Sequence, residues 1–253
     1  MTILILGGTA EARALAGALA QRKDLAVTLS LAGRTAEPAP QPVPVRRGGF
    51  GGADGLARYL REERIDLLID VTHPYAAAIS ANAAKAAQAS GVRLLALRRP
   101  AWKKVRGDNW IEVDTIAEAV AAIGETPRRV FLALGRKELQ PFAAAPQHFY
   151  LIRSVDPVEP PLAVPQASYI AARGPFGEAE DRALLERERI EMVVAKNSGG
   201  EATYGKIAAV RALGLPVVML KRPALPDVES VATVEDVLAW LDHASTLCTA
   251  RGV

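Results

Sequence analysis

Short apolar runs alternate with alanine-rich stretches along almost the whole chain, and this alternation restricts the fold more than any other feature. "LLIDV" (67–71) and "RVFLAL" (129–134) are nearly continuous in apolar residues. Strands buried on both faces carry such runs, as in parallel sheets covered by helices. The runs predict strands near 2–6, 26–31, 43–46, 66–71, 92–97, 129–134, 148–153, 168–172, 191–195 and 216–220. Helical spacing falls between them, near 9–22, 53–63, 75–89, 114–123, 177–188, 203–213 and 233–245. Alternation of this kind builds βαβ units, so the expected class is α/β with parallel sheets.

The chain also echoes itself. "KAAQASGVRLLALRRPAW" (85–102) resembles "AAVRALGLPVVMLKRPAL" (208–225), each reading helix, glycine, strand, then a basic residue before Arg-Pro. "TIAEAVAAI" (115–123) resembles "TVEDVLAWL" (233–241). Two similar α/β halves follow, expected at 1–125 and 126–253, meeting near "GETPRR" (124–129). Residues 35–52, "TAEPAPQPVPVRRGGFGG", break the periodicity and read as a long, mobile loop around a short strand, of the sort that borders a site.

With 253 residues, half of them apolar, the chain can bury a substantial core in each half. A single Cys, Cys248, excludes an intrachain disulfide and suits a reducing compartment. "MTILILGG" has neither the basic flank nor the length of a signal peptide or membrane span, so a soluble, cytoplasmic protein is expected. The net charge is only +3, yet basic residues cluster at Arg46-Arg47, Arg98-Arg99, Lys103-Lys104-Arg106 and Arg128-Arg129. Such clusters favour a polyanionic ligand. A nucleic acid is disfavoured, because no reading module or aromatic-plus-basic motif is present.

Ligands of open parallel sheets bind at the carboxyl ends of the strands. Polar clusters gather there: Gly7-Gly8-Thr9, Gly33-Arg34, Asp70 to Tyr75, Gly135-Arg136-Lys137, Arg173 to Phe176 and Lys196 to Gly200. "LILGGTAEARALA" is a strand, a tight turn and a helix start, which suits a phosphate, although Thr9 and Ala12 stand where a full G-x-G-x-x-G has glycines. After the second strand, Arg34 replaces the acid that would bind an NAD ribose, which favours the 2′-phosphate of NADPH. His73, between Thr72 and Pro74, ends a strand beside Tyr75, where it can be structural or catalytic. Asp70 is expected to anchor Thr72 or the next helix, and Asn82 and Lys85 to lie at the surface. "GEATYGKI" (200–207) spells seven positions of a P-loop, but Ile207 cannot coordinate magnesium and Glu201 would repel phosphates. Nucleotide hydrolysis is therefore disfavoured. Lys206 then reads as an ordinary helix lysine or a rim contact, and Ile207 as core-facing.

"ILGGTAEARALA", "DVTHPYA", "GGFGG", "LALGRKEL", "AARGPF" and "KNSGG" with "KIAAVRALGLPVVMLKRP", taken in this order, resemble the precorrin-6A reductase family of cobalamin biosynthesis, from Ile3 to Pro223. The cobalt-precorrin-6A reductases of the anaerobic pathway share that family. The resemblance implies two Rossmann-like domains with a cofactor and a macrocycle in a cleft between them, and hydride transfer from NADPH to a polycarboxylated tetrapyrrole. It implies that Gly7, Gly8 and Thr9 hold the pyrophosphate, Arg34 the 2′-phosphate, and Thr72 and His73 a cofactor-side wall. Lys196, Asn197 and Ser198 would be the second domain's contribution, and Arg136, Lys137 and Arg173 the carboxylate contacts. His73, Tyr75 and Lys196 are the candidate proton donors, alongside water or a substrate carboxylate. Transient contact with neighbouring pathway enzymes is a further implication. A different NADP-dependent reductase or epimerase, or a non-catalytic nucleotide sensor, is the competing reading.

Overall fold

The computed structural model describes residues 1–33 and 39–249. The chain forms two compact units, one from Met1–Pro100 with Ala224–Val253 and one from Ala101–Pro223. In the first, β1 (Thr2–Leu6), β2 (Ala26–Leu31), β3 (Val45–Arg47), β4 (Leu67–Asp70) and β5 (Arg93–Leu97) alternate with α1 (Ala10–Leu19), α2 (Gly52–Glu62) and α3 (Ala77–Ser90). The second holds β6 (Asn109–Val113), α4 (Ile116–Ile123), β7 (Arg129–Ala133), β8 (Phe149–Ser154) and β9 (Ala167–Ala171). It continues with α5 (Glu178–Arg187), β10 (Met192–Lys196), α6 (Gly205–Ala212) and β11 (Pro216–Leu220). β12 (Ser230–Val231) and α7 (Val234–Thr249) then complete the first unit.

Both sheets are parallel throughout. The strand orders are β12-β5-β4-β1-β2-β3 and β6-β11-β10-β7-β8-β9. Counted from the central strand of each unit, this is the doubly wound 3-2-1-4-5-6 order. The sixth strand is the exception in origin. β5 is followed in sequence by β6, yet it pairs with β12; β11 is followed by β12, yet it pairs with β6. Each sequence repeat thus gives its last strand and helix to the unit built mainly from the other.

This exchange explains why the expected boundary after residue 125 falls inside the second unit. The chain passes between units at Pro100–Ala101 and Pro223–Ala224, directly after the echoed Arg98-Arg99-Pro100 and Lys221-Arg222-Pro223. A repeat in sequence marks equivalent segments, not the sheet each one joins. β6 and β12 were also the two strands absent from the expected set. β6 is an edge strand with Ile111 38% exposed, and β12 has only two residues, so neither produces a buried apolar run.

Packing follows from the alternation within each strand. Ile3 and Ile5 pack with Leu15 and Leu19 of α1 and with Val237 and Leu241 of α7 on one face. Leu4 and Leu6 pack with Leu56 and Leu60 of α2 and with Ala83 and Ala86 of α3 on the other. Successive side chains point to opposite faces, and here both faces are covered. The second unit is built alike, with Phe131, Val193 and Val217 against Leu184, Leu185, Ile207 and Val210. Ile207 is fully buried, as the sequence indicated. None of the described helices is long and apolar enough to cross a membrane.

Candidate functional site

In the first unit the strand order reverses between β1 and β4, and Leu6 aligns with both Ser30 of β2 and Asp70 of β4. A cavity of about 180 Å³ opens at these carboxyl ends. Gly7, Ser30, Thr72, Asn82 and the segment 48–52 contribute to its lining.

The two glycines after β1 do different jobs. Gly7 donates its N–H to Ser30 O at 3.0 Å, and a Cβ there would stand 2.5 Å from Leu29 Cδ1. It is small so that β2 can pack. Gly8 adopts φ +112° with open space beside its Cα, a conformation that favours glycine and leaves bare backbone facing outward. Thr9 is the N-cap of α1: its Oγ1 accepts from Ala12 N at 3.1 Å and donates to Val71 O at 2.8 Å. That hydroxyl is therefore engaged in capping and in tying the turn to the end of β4.

Asp70 is the hub of a buried network. It is 1% exposed; its Oδ1 accepts from Thr72 N and Thr72 Oγ1, and its Oδ2 from Ser80 Oγ and Arg98 Nη2. The four distances lie between 2.6 and 3.0 Å. The ion pair with Arg98 offsets the cost of burying the carboxylate. The network fixes Thr72, 7% exposed, in the cavity wall, so the expected anchoring role of Asp70 holds. His73 Nδ1 accepts from Tyr75 N at 3.3 Å, and the two rings lie 5.6 Å apart. That bond puts the proton of the neutral imidazole on Nε2. α3 begins at Ala77, later than expected, because His73 to Ala76 form a turn closed by Ala76 N donating to His73 O.

Arg34 lies outside the described residues. Asn82 corrects the sequence reading: it is half-buried in the cavity wall, while Lys85 is exposed as expected. Asn82 stands three residues after Ile79, and that spacing puts both on one face of α3. A lone amide on an alanine-rich helix was the available signal.

In the second unit the carboxyl ends of β7 and β10 are adjacent. A 3-10 turn, Arg136–Glu138, follows β7 and holds Arg136 and Lys137 at the surface. Arg136 pairs with Asp156 at 3.5 Å, and Arg173 is exposed. Lys196 donates to Glu138 Oε1 at 2.7 Å. Glu138 was absent from the sequence reading, since a glutamate in a turn carries no signal of its partner.

Asn197 is 8% exposed. Its Oδ1 accepts from Trp102 N at 2.8 Å and its Nδ2 donates to Trp102 O at 2.9 Å. The amide thus acts as a strand-like partner for the segment that enters the unit. Arg222 donates to Asn197 O and Ser198 O, at 2.8 and 3.0 Å, fixing the loop after β10.

The P-loop spelling is explained by packing. A Cβ on Gly205 would meet Phe176 O at 2.5 Å and the Gly177 carbonyl carbon at 2.8 Å, so this glycine admits a neighbouring loop. Lys206 is neither an ordinary surface lysine nor a rim contact, as had been expected. It is 5% exposed, donates to Thr203 O at 2.7 Å and sits 5.0 Å from the Trp102 ring centre. Burial, with the charge of Arg153 adding, pushes its ammonium down to about 7, against an opposing pull from Asp181.

The family described as Precorrin-6x reductase CbiJ/CobK matches residues 2–242. A protein of Sinorhizobium sp. named precorrin-6A reductase is 57% identical over 95% of this chain and 92% of its own. A cobalt-precorrin-6A reductase of Priestia megaterium is 29% identical over 93% of this chain and 96% of its own. A solved structure of CobK precorrin-6A reductase superposes with a TM-score of 0.92 at 49% identity, covering 96% of both chains. The chain belongs to the precorrin-6x reductase CbiJ/CobK family of oxidoreductases.

Proposed function

We propose that this chain reduces precorrin-6A to precorrin-6B with NADPH, a step of cobalamin biosynthesis. The observation that carries the reading is the 57% identity to a precorrin-6A reductase over nearly the full length of both chains. The metal-free substrate is favoured over the cobalt-containing one because identity to the cobalt-precorrin enzyme is only 29%.

The first unit suits the cofactor. Its cavity lies where the strand order reverses, and Gly7, Gly48, Gly49, Gly51 and Gly52 bring bare backbone to a wall that also carries the side chains of Phe50, Leu56, Thr72, Ile79 and Asn82. When bound there, NADPH supplies the hydride for one carbon of a ring double bond. Gly7, Gly8 and the Thr9 backbone would border the pyrophosphate, and Arg34 the 2′-phosphate. Thr72, fixed by Asp70, and His73 would form the wall beside the nicotinamide.

In the second unit Arg136, Lys137, Arg173 and Lys196 would meet substrate carboxylates, where charge-assisted bonds orient a large anion. The side chain of Asn197 holds Trp102, so this residue and Ser198 would serve through the shape of their loop. The neighbouring ring carbon needs a proton. The Lys196 ammonium is the group suited to deliver it. His73, whose Nδ1 accepts from Tyr75 N, would do so from Nε2 only as an imidazolium, which gives up that bond, and Tyr75 is the third candidate. Solution in the cytoplasm and handover to neighbouring pathway enzymes belong to the same reading.

The test is consumption of reduced nicotinamide on mixing the protein, NADPH and precorrin-6A. Turnover with NADPH and little with NADH is expected; cofactor binding without turnover would remove the substrate assignment. Within that assay Arg34→Ala should raise the KM for NADPH by about tenfold or more while leaving that for NADH nearly unchanged, as expected for loss of one charge-assisted phosphate contact. Equal losses would refute the 2′-phosphate role.

A further inference from the structure

We propose that Arg46 is a positioning residue for the cofactor, holding the 48–52 segment in the shape that forms one wall of the first unit's cavity. The inference rests on the reading that this cavity receives NADPH. Arg46 lies in β3, opposite Ser30 of β2. Its Nη1 donates to Gly48 O at 2.5 Å and its Nη2 to Gly49 O at 2.9 Å. The guanidinium carbon also sits 3.7 Å from the centre of the Phe50 ring and 5.3 Å from that of Tyr59. One planar group thus binds two successive carbonyls and stacks on the ring of the residue that follows them. Only arginine has the donor fork and the flat face for both tasks.

The segment has a physical need for such a clamp. Gly48, Gly51 and Gly52 adopt φ of +101°, +81° and +89°, and their Cα atoms face open space. Glycines lose more conformational freedom on ordering than other residues and bring no side chain to pack. Two features restrain the loop from outside the cavity. Gly55 lets the Phe50 carbonyl press against the first turn of α2, where any side chain would collide with it. Arg46 holds the other end. All five residues from Gly48 to Gly52 line the cavity, whereas Arg46 is not among its lining residues. Arg46 therefore shapes the wall without contributing to its surface, and acts through the loop.

A direct role for Arg46 at the 2′-phosphate makes a different prediction, so the two are separable by nucleotide titration. Arg46→Ala is expected to raise the Kd of NADPH and of NADH by similar factors, about tenfold each, the loss of roughly one net ordering interaction. The kcat at saturating NADPH and the KM for precorrin-6A should stay within about twofold, since uniform cofactor binding alone is removed. Arg46→Lys, which keeps the charge but not the fork, should behave like Arg46→Ala and covers the case in which the alanine variant folds poorly. A loss confined to NADPH and restored by lysine would overturn the proposal in favour of a phosphate contact. Unchanged affinity for both nucleotides would overturn it too. Failure of the unaltered protein to bind either nucleotide would instead remove the cofactor reading itself.

Discussion

Replacing Asp70 with alanine should lower the unfolding free energy by about 3–5 kcal/mol, the usual range for breaking a buried ion pair by removing one partner. Four donors lose their acceptor at once: Thr72 N, Thr72 Oγ1, Ser80 Oγ and Arg98 Nη2. Arg98 is 18% exposed at its side chain and can recover part of its hydration, which places the effect toward the lower end of that range. Thr72 and Ser80 are buried and cannot. Asp70→Asn keeps the shape and two acceptor sites but not the charge, so its loss should be about half as large. Denaturant unfolding of the two variants measures both. NADPH affinity should fall with Asp70→Ala because Thr72 stands in the cavity wall. A loss below about 1 kcal/mol for the alanine variant would show that the network is far weaker than its geometry implies.

The second large effect has the opposite sign. Lys206→Met should raise stability by about 2 kcal/mol near pH 6, on the order expected when a buried cation is replaced by an apolar side chain of similar length. The sign follows from the depressed ammonium, about 7 in the folded protein against an ordinary 10.5. Between those values the unfolded chain binds a proton that the folded chain does not, so stability rises with pH across that interval. Below about 7 the folded protein carries the buried charge and bears the full cost. The gain from Lys206→Met should therefore be largest at or below neutral pH and should shrink toward pH 10. The bond to Thr203 O and the Trp102 contact are lost in the variant, which reduces the gain without reversing it. A pH-independent difference, or a net loss at pH 6, would contradict the assignment of Lys206 as a destabilising buried amine.

Much of the architecture was legible because it rests on burial. Strands such as Leu67–Asp70 and Met192–Lys196 are apolar on both faces, and that pattern survives in the sequence without knowledge of partners. The exchange of β6 and β12 was not legible. Which sheet edge a short strand joins depends on packing between distant segments, and the repeat led to an expected boundary at residue 125 instead of crossings at 100 and 223.

The site divides in the same way. Strand-end positions marked out Gly7 and Thr72, which line the first unit's cavity, because open parallel sheets form their crevices at the carboxyl ends of the strands. What each side chain does there depends on partners remote in sequence. Thr9 is engaged by Val71, Asn197 by Trp102, Lys196 by Glu138, and Lys206 lies beneath Trp102. The P-loop spelling misled for that reason: its glycine and lysine answer to close packing against the segment at Phe176 and to burial. The one signal for the cavity-lining role of Asn82, a lone amide three residues after Ile79 on an alanine-rich helix, does not by itself say which way that face of the helix turns.

Hydride transfer to the macrocycle is the central step of the proposed reaction. Its most direct test is a single turnover of precorrin-6A with NADPH carrying deuterium at nicotinamide C4 on the transferred face, followed by mass analysis of the tetrapyrrole. The reading predicts product that has gained one deuterium from the cofactor and one hydrogen from solvent. Oxidised cofactor with no deuterium in the tetrapyrrole, or bound NADPH and precorrin-6A that remain unreacted, would contradict it.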